Sequence, residues 1–199
     1  MFLKIIYSVF IFFIFIVVNF YNRYLDREKQ NIATLTGKTM GTYWQVKIPN
    51  LKNKKYIKNL IQQNLDEDEK MLSSWKKNSL VSQFNRLKKH QRQIINQDFF
   101  KIISTALKIN RKTNGKLDIT ISRLINMWGF GTKEKLTHYP SKKKIKEKIF
   151  LSGSQHLKLI KNSFGMFLEK DIDGIEINLS TLGEGFAVDH LSRILTKKK

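Results

Sequence analysis

An α+β fold is predicted for this chain, and three observations carry the prediction. Two long stretches, 55–72 and 98–110, space their apolar residues for one face of a helix. Several shorter runs alternate apolar and polar residues as half-buried strands do: Tyr43–Ile48, His156–Ile160, Phe164–Glu169 and Ile175–Leu179. The 199 residues are 41% hydrophobic, enough for a core beyond the N-terminus.

Residues 2–21 are almost wholly apolar, with Lys4 near the front. Their length reaches the roughly 20 residues of a spanning helix. No small-x-small cleavage site follows, because the next residues are Asn22, Arg23, Tyr24 and Leu25. The expectation is therefore an uncleaved signal anchor or signal peptide over 1–22, a linker over 23–32, and a folded domain over 33–199. Positive charges flank both ends of the apolar stretch, so charge alone leaves its orientation open.

Within the folded part, Thr36–Thr42 reads as a glycine-containing turn that leads into the strand Tyr43–Ile48. The helix over 55–72 presents Ile57, Leu60, Ile61, Leu65 and Leu72 on one face, with Asp66–Glu69 read as its solvated side. A break at Ser73–Asn78 contains Trp75, Ser79–Leu87 reads as a short helix, and 88–95 as a polar connection. The helix over 98–110 is built on Phe99, Ile102, Ile103, Ala106 and Leu107, and Asn114-Gly115 supplies a left-handed stop. Leu117–Ile121 reads as a short strand that carries one carboxylate, Asp118. A buried carboxylate has to be paired or hydrogen-bonded, and a bond to a nearby turn is the plain expectation. Residues 132–150 are basic, with a short Lys-rich helix around Ile145 and Ile149. Ser152–Ser154 is a turn, two strands follow, and Asp171–Gly174 turns the chain into Ile175–Leu179.

That last run breaks through Ser180, Thr181, Gly183 and Gly185 into a helical pattern with Ala187, Leu191, Ile194 and Leu195 on one side. A helix start has free N–H groups and attracts anions, phosphate above all. Two hydroxyls and the Glu184 carboxylate lie at the same place. From these residues alone, a capped helix after a turn is the favoured reading.

Several classes of function are excluded or disfavoured. There are no cysteines, hence no disulfide, thiolate metal site or Cys nucleophile. The net charge is +21, from 37 Lys+Arg against 16 Asp+Glu, which raises nucleic acid or an anionic membrane as partner. The lysines are spread along the chain without interleaved aromatics, so nucleic acid is not expected. No Walker-type loop and no HExxH is present, and His90, His138, His156 and His190 lack metal-ligand spacing.

Five segments, in order and at compatible spacing, resemble the ApbE family of FAD:protein FMN transferases. They are Gly37-Lys38-Thr39-Met40-Gly41-Thr42; Leu72–Trp75 with Ser82–Asn85; Gly115–Thr120; Leu124–Gly131; and Leu179–His190. The resemblance spans about 33–196. It implies a flavin-transferase fold with the cofactor in a cleft, in an exported enzyme held at the inner membrane and facing the periplasm. It implies FAD as substrate, Mg²⁺ as cofactor, and transfer of FMN to a Thr hydroxyl of an acceptor protein with release of AMP. The acceptor implied is a subunit of a membrane-bound, ion-pumping redox complex. By the same resemblance Met40, Trp75, Lys116, Leu117, Asp118, Asn178 and Glu184 contact FAD, and Thr181 is a Mg²⁺ ligand; no catalytic residue is assigned. Trp75 stands where Tyr is common, Asn178 where Asp occurs and Glu184 where others carry Lys. Family members continue for well over a hundred residues more, so the C-terminal third, with the metal carboxylates, is expected to be missing here. Two other readings stay open: an inactive remnant of such a transferase, and a basic module for nucleic acid or anionic lipid.

Overall fold

The computed structural model describes residues 12–21, 31–131 and 138–197. They fall into two compact units, one up to Leu60 and one from Ile61. Of the expected anchor, residues 12–21 form helix α1, whose side chains are exposed. Residues 1–11 and 22 of that anchor lie outside the described residues, as do 23–30 of the expected linker. Among the described residues no helix is long and apolar enough to cross a membrane.

The first unit contains a β-hairpin. Strand β1 (Ile32–Thr39) pairs antiparallel with β2 (Thr42–Pro49). The sequence shows β2 but hides β1, whose outer half was read as a turn. The turn proper is only Met40-Gly41, at φ 48° and 77°. Positive φ at both central residues suits the right-handed twist of a two-residue hairpin. Gly37 faces Trp44 across the ladder, and a Cβ there would meet the indole at 2.5 Å, so this position needs glycine for space.

The second unit is organised on helix α4 (Gln97–Lys112) and a three-stranded antiparallel sheet of order β3-β5-β4. Asn96 caps α4 by accepting from the Phe99 N–H at 2.8 Å. Phe99, Ile102, Ile103 and Ala106 are buried along one face, as their spacing requires. The helix stops at Asn114 and Gly115, at φ 49° and 80°, with the Gly115 N–H on the Asn110 carbonyl. Helix α2 (Lys54–Leu72) buries Ile61, Leu65 and Leu72, and α3 (Leu80–Arg86) is capped by the Ser79 hydroxyl. Strands β4 (Leu157–Asn162) and β5 (Gly165–Lys170) form the expected hairpin. Helices α5 (Ser122–Met127), α6 (Lys142–Phe150) and α7 (Ser180–Thr196) complete the fold.

Four further expectations are corrected. The polar connection 88–95 contains a strand, β3 (Arg92–Ile94), recruited by pairing with β5. Leu117–Ile121 is no strand. Asp118 draws the Thr120 N–H onto its own carboxylate at 2.8 Å, and this Asx turn coils the chain. Ile175–Leu179 keeps its alternation, with Ile175, Ile177 and Leu179 buried, but among the described residues it joins no ladder. Its β pairing among those residues is one parallel bridge between Ile121 and Glu176.

The fourth correction concerns the supposedly solvated acidic side of α2. Asp68 is 2% exposed, and its carboxylate meets His190 Nδ1 on α7 at 2.9 Å. Burial pushes the Asp68 carboxyl above its ordinary pKa, against the opposing pull of His190. A carboxyl raised in the fold holds its proton longer there than in the unfolded chain. Its contribution to stability is therefore present at low pH and lost as pH rises through the raised value. Asp68→Asn keeps a bond to His190 and removes that titration. Thermal melts of the two proteins from pH 3 to 7 should diverge, with the wild type losing ground to the variant as pH rises. Parallel melting curves would show that Asp68 does not titrate there.

Candidate functional site

The site lies in the second unit, where the extended segment 175–179 faces α3 and α5. The sequence makes that segment extended and apolar on one side, yet no strand pairs along it among the described residues. A side chain takes the strand's place. Asn85, at the end of α3, donates from Nδ2 to the Ile177 carbonyl at 3.0 Å and accepts the Ile177 N–H on Oδ1 at 2.7 Å. The Asn178 N–H bonds the Ile119 carbonyl at 2.7 Å. The segment is thus pinned on both sides, and its polar residues, Glu176 and Asn178, look into a cleft.

Two adjoining cavities make up the cleft. One, of about 200 Å³, is lined by Ser74, Ser82, Asn85, Arg86, Ser122, Asn126, Glu176 and Asn178. The other, of about 250 Å³, shares Asn126 and Glu176 and adds Arg123, Met127 and Lys148. Ligand pockets start at roughly 300 Å³, so each cavity has room for part of a dinucleotide, not the whole. Arg123 pairs with Glu176 at 3.1 Å and also donates to the Gly174 carbonyl, which fixes the turn before the segment. The lining is mostly amides and hydroxyls, with two guanidiniums, Arg86 and Arg123, and the Lys148 ammonium. Such a set recognises the polar edges of a heterocycle or a phosphate by hydrogen bonding.

The expected site residues distribute around this cleft unevenly. Asn178 lines it directly, and its Oδ1 accepts the Ser180 N–H at 2.8 Å, taking one of the first N–H groups of α7. Trp75 is 65% exposed beside the lining residue Ser74, in a loop whose N–H groups at 75 and 76 bond the Ser73 hydroxyl. Asp118 takes Thr120 N–H, Thr120 hydroxyl and Ser154 hydroxyl at 2.8, 2.6 and 2.9 Å, all on Oδ1. That turn carries Ile119, which holds Asn178, and precedes Ser122, which lines the cleft. Lys116 is exposed and Leu117 half-buried at the end of the α4 stop. Thr181 and Glu184 are exposed on the first turns of α7, three residues apart and so on one face. Met40 belongs to the first unit, at the hairpin turn.

Magnesium takes six oxygen ligands. The Thr181 hydroxyl is chemically suited to supply one, but among the described residues no group of three or more His, Cys, Asp or Glu gathers to hold a metal ion.

Sequence reasoning missed Arg86, Ser122, Arg123, Glu176 and Lys170. The ammonium of Lys170 is fully buried, and it donates to the carbonyls of Phe84, Asn85 and Ile175 at 3.3, 3.2 and 3.0 Å. A Lys at the end of an alternating strand reads as solvent-facing, and only the tertiary fold places it inside.

The ApbE family model matches residues 40–199. The chain belongs to the ApbE family. It is 60% identical over 188 residues to the FAD:protein FMN transferase of Buchnera aphidicola subsp. Schizaphis graminum, covering 94% of this chain and 55% of that protein. It is 37% identical over 169 residues to the FAD:protein FMN transferase of Escherichia coli K12, covering 84% of this chain and 48% of that one. The fold superposes on the flavin transferase ApbE from Vibrio cholerae with a TM-score of 0.80 at 27% identity, over 84% of this chain and 54% of that chain. This ApbE chain thus spans about half the length of the relatives it matches.

Proposed function

We propose that this chain carries part of the FAD-binding cleft of an enzyme that moves FMN from FAD to a Thr hydroxyl of an acceptor protein and releases AMP. The single observation that carries this reading is the cleft pinned by Asn85, set among the segments that match the transferases. Attack of an alcohol on a pyrophosphate phosphorus needs a positioned substrate and neutralised phosphate charge more than a covalent enzyme intermediate. The amides of Asn85, Asn126 and Asn178 would orient a heterocycle edge, and Arg86 would face negative charge. Asp118 has one oxygen committed to its turn, and its other oxygen would accept from the ligand. Trp75 offers an exposed ring face for stacking. Lys116, Leu117, Glu184 and, in the first unit, Met40 are proposed as further flavin contacts from their match to the family.

Bound Mg²⁺ would neutralise phosphate charge, and Thr181 is proposed as one of its oxygen ligands. Thr181→Ala should leave FAD affinity without Mg²⁺ unchanged and remove the tightening that added Mg²⁺ brings. Titrations of FAD fluorescence with and without the metal check this, and an equal loss under both conditions would count against the ligand role. The acceptor is proposed to be a subunit of an ion-pumping redox complex, met at the periplasmic face of the inner membrane with residues 2–21 as tether.

The deciding experiment mixes the full chain in detergent with FAD, Mg²⁺ and an acceptor domain bearing the target Thr. Mass spectrometry should find FMN added to the acceptor. An unmodified acceptor, where a full-length relative modifies it, would refute activity of this chain.

A further inference from the structure

The cleft has two walls, which the Asn85–Ile177 bonds join directly. One is the end of α3, which brings Ser82, Asn85 and Arg86; the other is the segment that brings Glu176 and Asn178. The three carbonyls held by Lys170 belong to these two walls: Phe84 and Asn85 on the first, Ile175 on the second. The carbonyls of a helix's last turn carry the negative end of its dipole, so an ammonium is favoured there, beside the Leu87 N–H that Phe84 also accepts. The ring of Phe84 lies 5.2 Å from the same nitrogen. Glu176 and Asp173 on the segment side and Arg123 on α5 are the charged groups that act on it, and none of them forms an ion pair with it in the structure.

We infer that Lys170 is a positioning residue: its buried ammonium ties the two walls of the cleft together and sets their spacing for the ligand. The inference rests on the cleft being the FAD site proposed above. An ammonium has three donors and meets three acceptors. A neutral amine has two donors and turns a lone pair toward a carbonyl, so loss of the proton removes one of the three bonds and loosens the tie.

Burial lowers the Lys170 pKa to about 8, so this loosening falls in an accessible range. The signs then separate the positioning role from a merely structural one. Between pH 8 and the ordinary lysine value the unfolded chain binds more protons than the fold. The contribution of Lys170 to global stability therefore rises with pH across that window. The tie between the walls weakens over the same window. A residue that only held the fold together would show both trends with one sign.

The test follows the Asn85 side-chain amide and the Ile177 backbone amide by NMR in the full chain from pH 6.5 to 9.5, and measures FAD affinity over the same range. Both amide signals should shift along one titration curve centred near pH 8. FAD affinity should fall on the order of tenfold above it, the effect of losing one charge-assisted bond. Lys170→Met should give the weak affinity at every pH and flatten the profile. If that variant does not fold, the wild-type titration decides alone. Amide signals that ignore pH through this range would overturn the inference. Amide signals that titrate in a chain that binds no FAD would leave the tie standing and refute the cleft as a flavin site.

Discussion

Asn85→Ala is expected to lower the unfolding free energy by on the order of 3 kcal/mol and to abolish flavin binding. The substitution leaves the N–H and C=O of Ile177 without partners, and Ile177 is fully buried. An unsatisfied buried polar group costs roughly 1–3 kcal/mol, and here two are orphaned by one change. The same change removes a cleft-lining amide. Urea denaturation followed by circular dichroism gives the stability, and FAD fluorescence titration gives the binding. Asn85→Asp is the informative companion. It still accepts the Ile177 N–H but turns a lone pair on the carbonyl, so it should recover part of the stability. Wild-type denaturation in Asn85→Ala would mean the 175–179 segment is held by its apolar side alone.

The second large effect is expected from Phe84→Ala. Phe84 is fully buried on α3, and removing such a ring costs about 3–5 kcal/mol through lost burial and the cavity left behind. The ring also lies against the Lys170 ammonium, so the variant should disturb the cleft as well as the core. Phe164, 88% exposed near the β4–β5 turn, is the control. Its replacement by Ala should change stability by about 0.5 kcal/mol or less. The denaturation midpoints of the two variants check the contrast. Equal midpoints would place the core elsewhere than around α3.

The parts of this fold that were legible in the sequence are those whose signal is local. The face of α4 follows from Phe99, Ile102, Ile103 and Ala106, and its stop from Asn114-Gly115. The β4–β5 hairpin follows from alternation on either side of a short polar turn. What stayed hidden depends on partners distant in sequence. Strand β3 is three residues long, and Arg92 and Ile94 point outward, so its identity rests on β5, more than seventy residues away. Asp68 reads as one more acidic residue on a charged helix until His190 covers it. Asp118 shows the reverse, a local effect that overrides the pattern around it: a strand-like run is coiled by its own carboxylate. For the site, Asn178 was legible through family motifs, whereas Asn85 entered as a motif letter without a role. Its role exists only because it bonds a peptide ninety-two positions along the chain.

This substitution of an amide for a strand also sets how the cleft can move. A segment in a sheet comes free only when a whole row of hydrogen bonds parts together. At Ile177 both bonds end on one side chain, so a single rotation of the Asn85 amide about its terminal torsion unfastens the peptide. Side-chain rotations belong to nanoseconds, and the parting of packed strands to microseconds and slower. Solvent deuterium should therefore reach the Ile177 amide by a fast local route while Leu168, paired in the middle of its sheet, waits for cooperative opening of the whole unit. The wall of the cleft behaves as a hasp on an otherwise rigid frame.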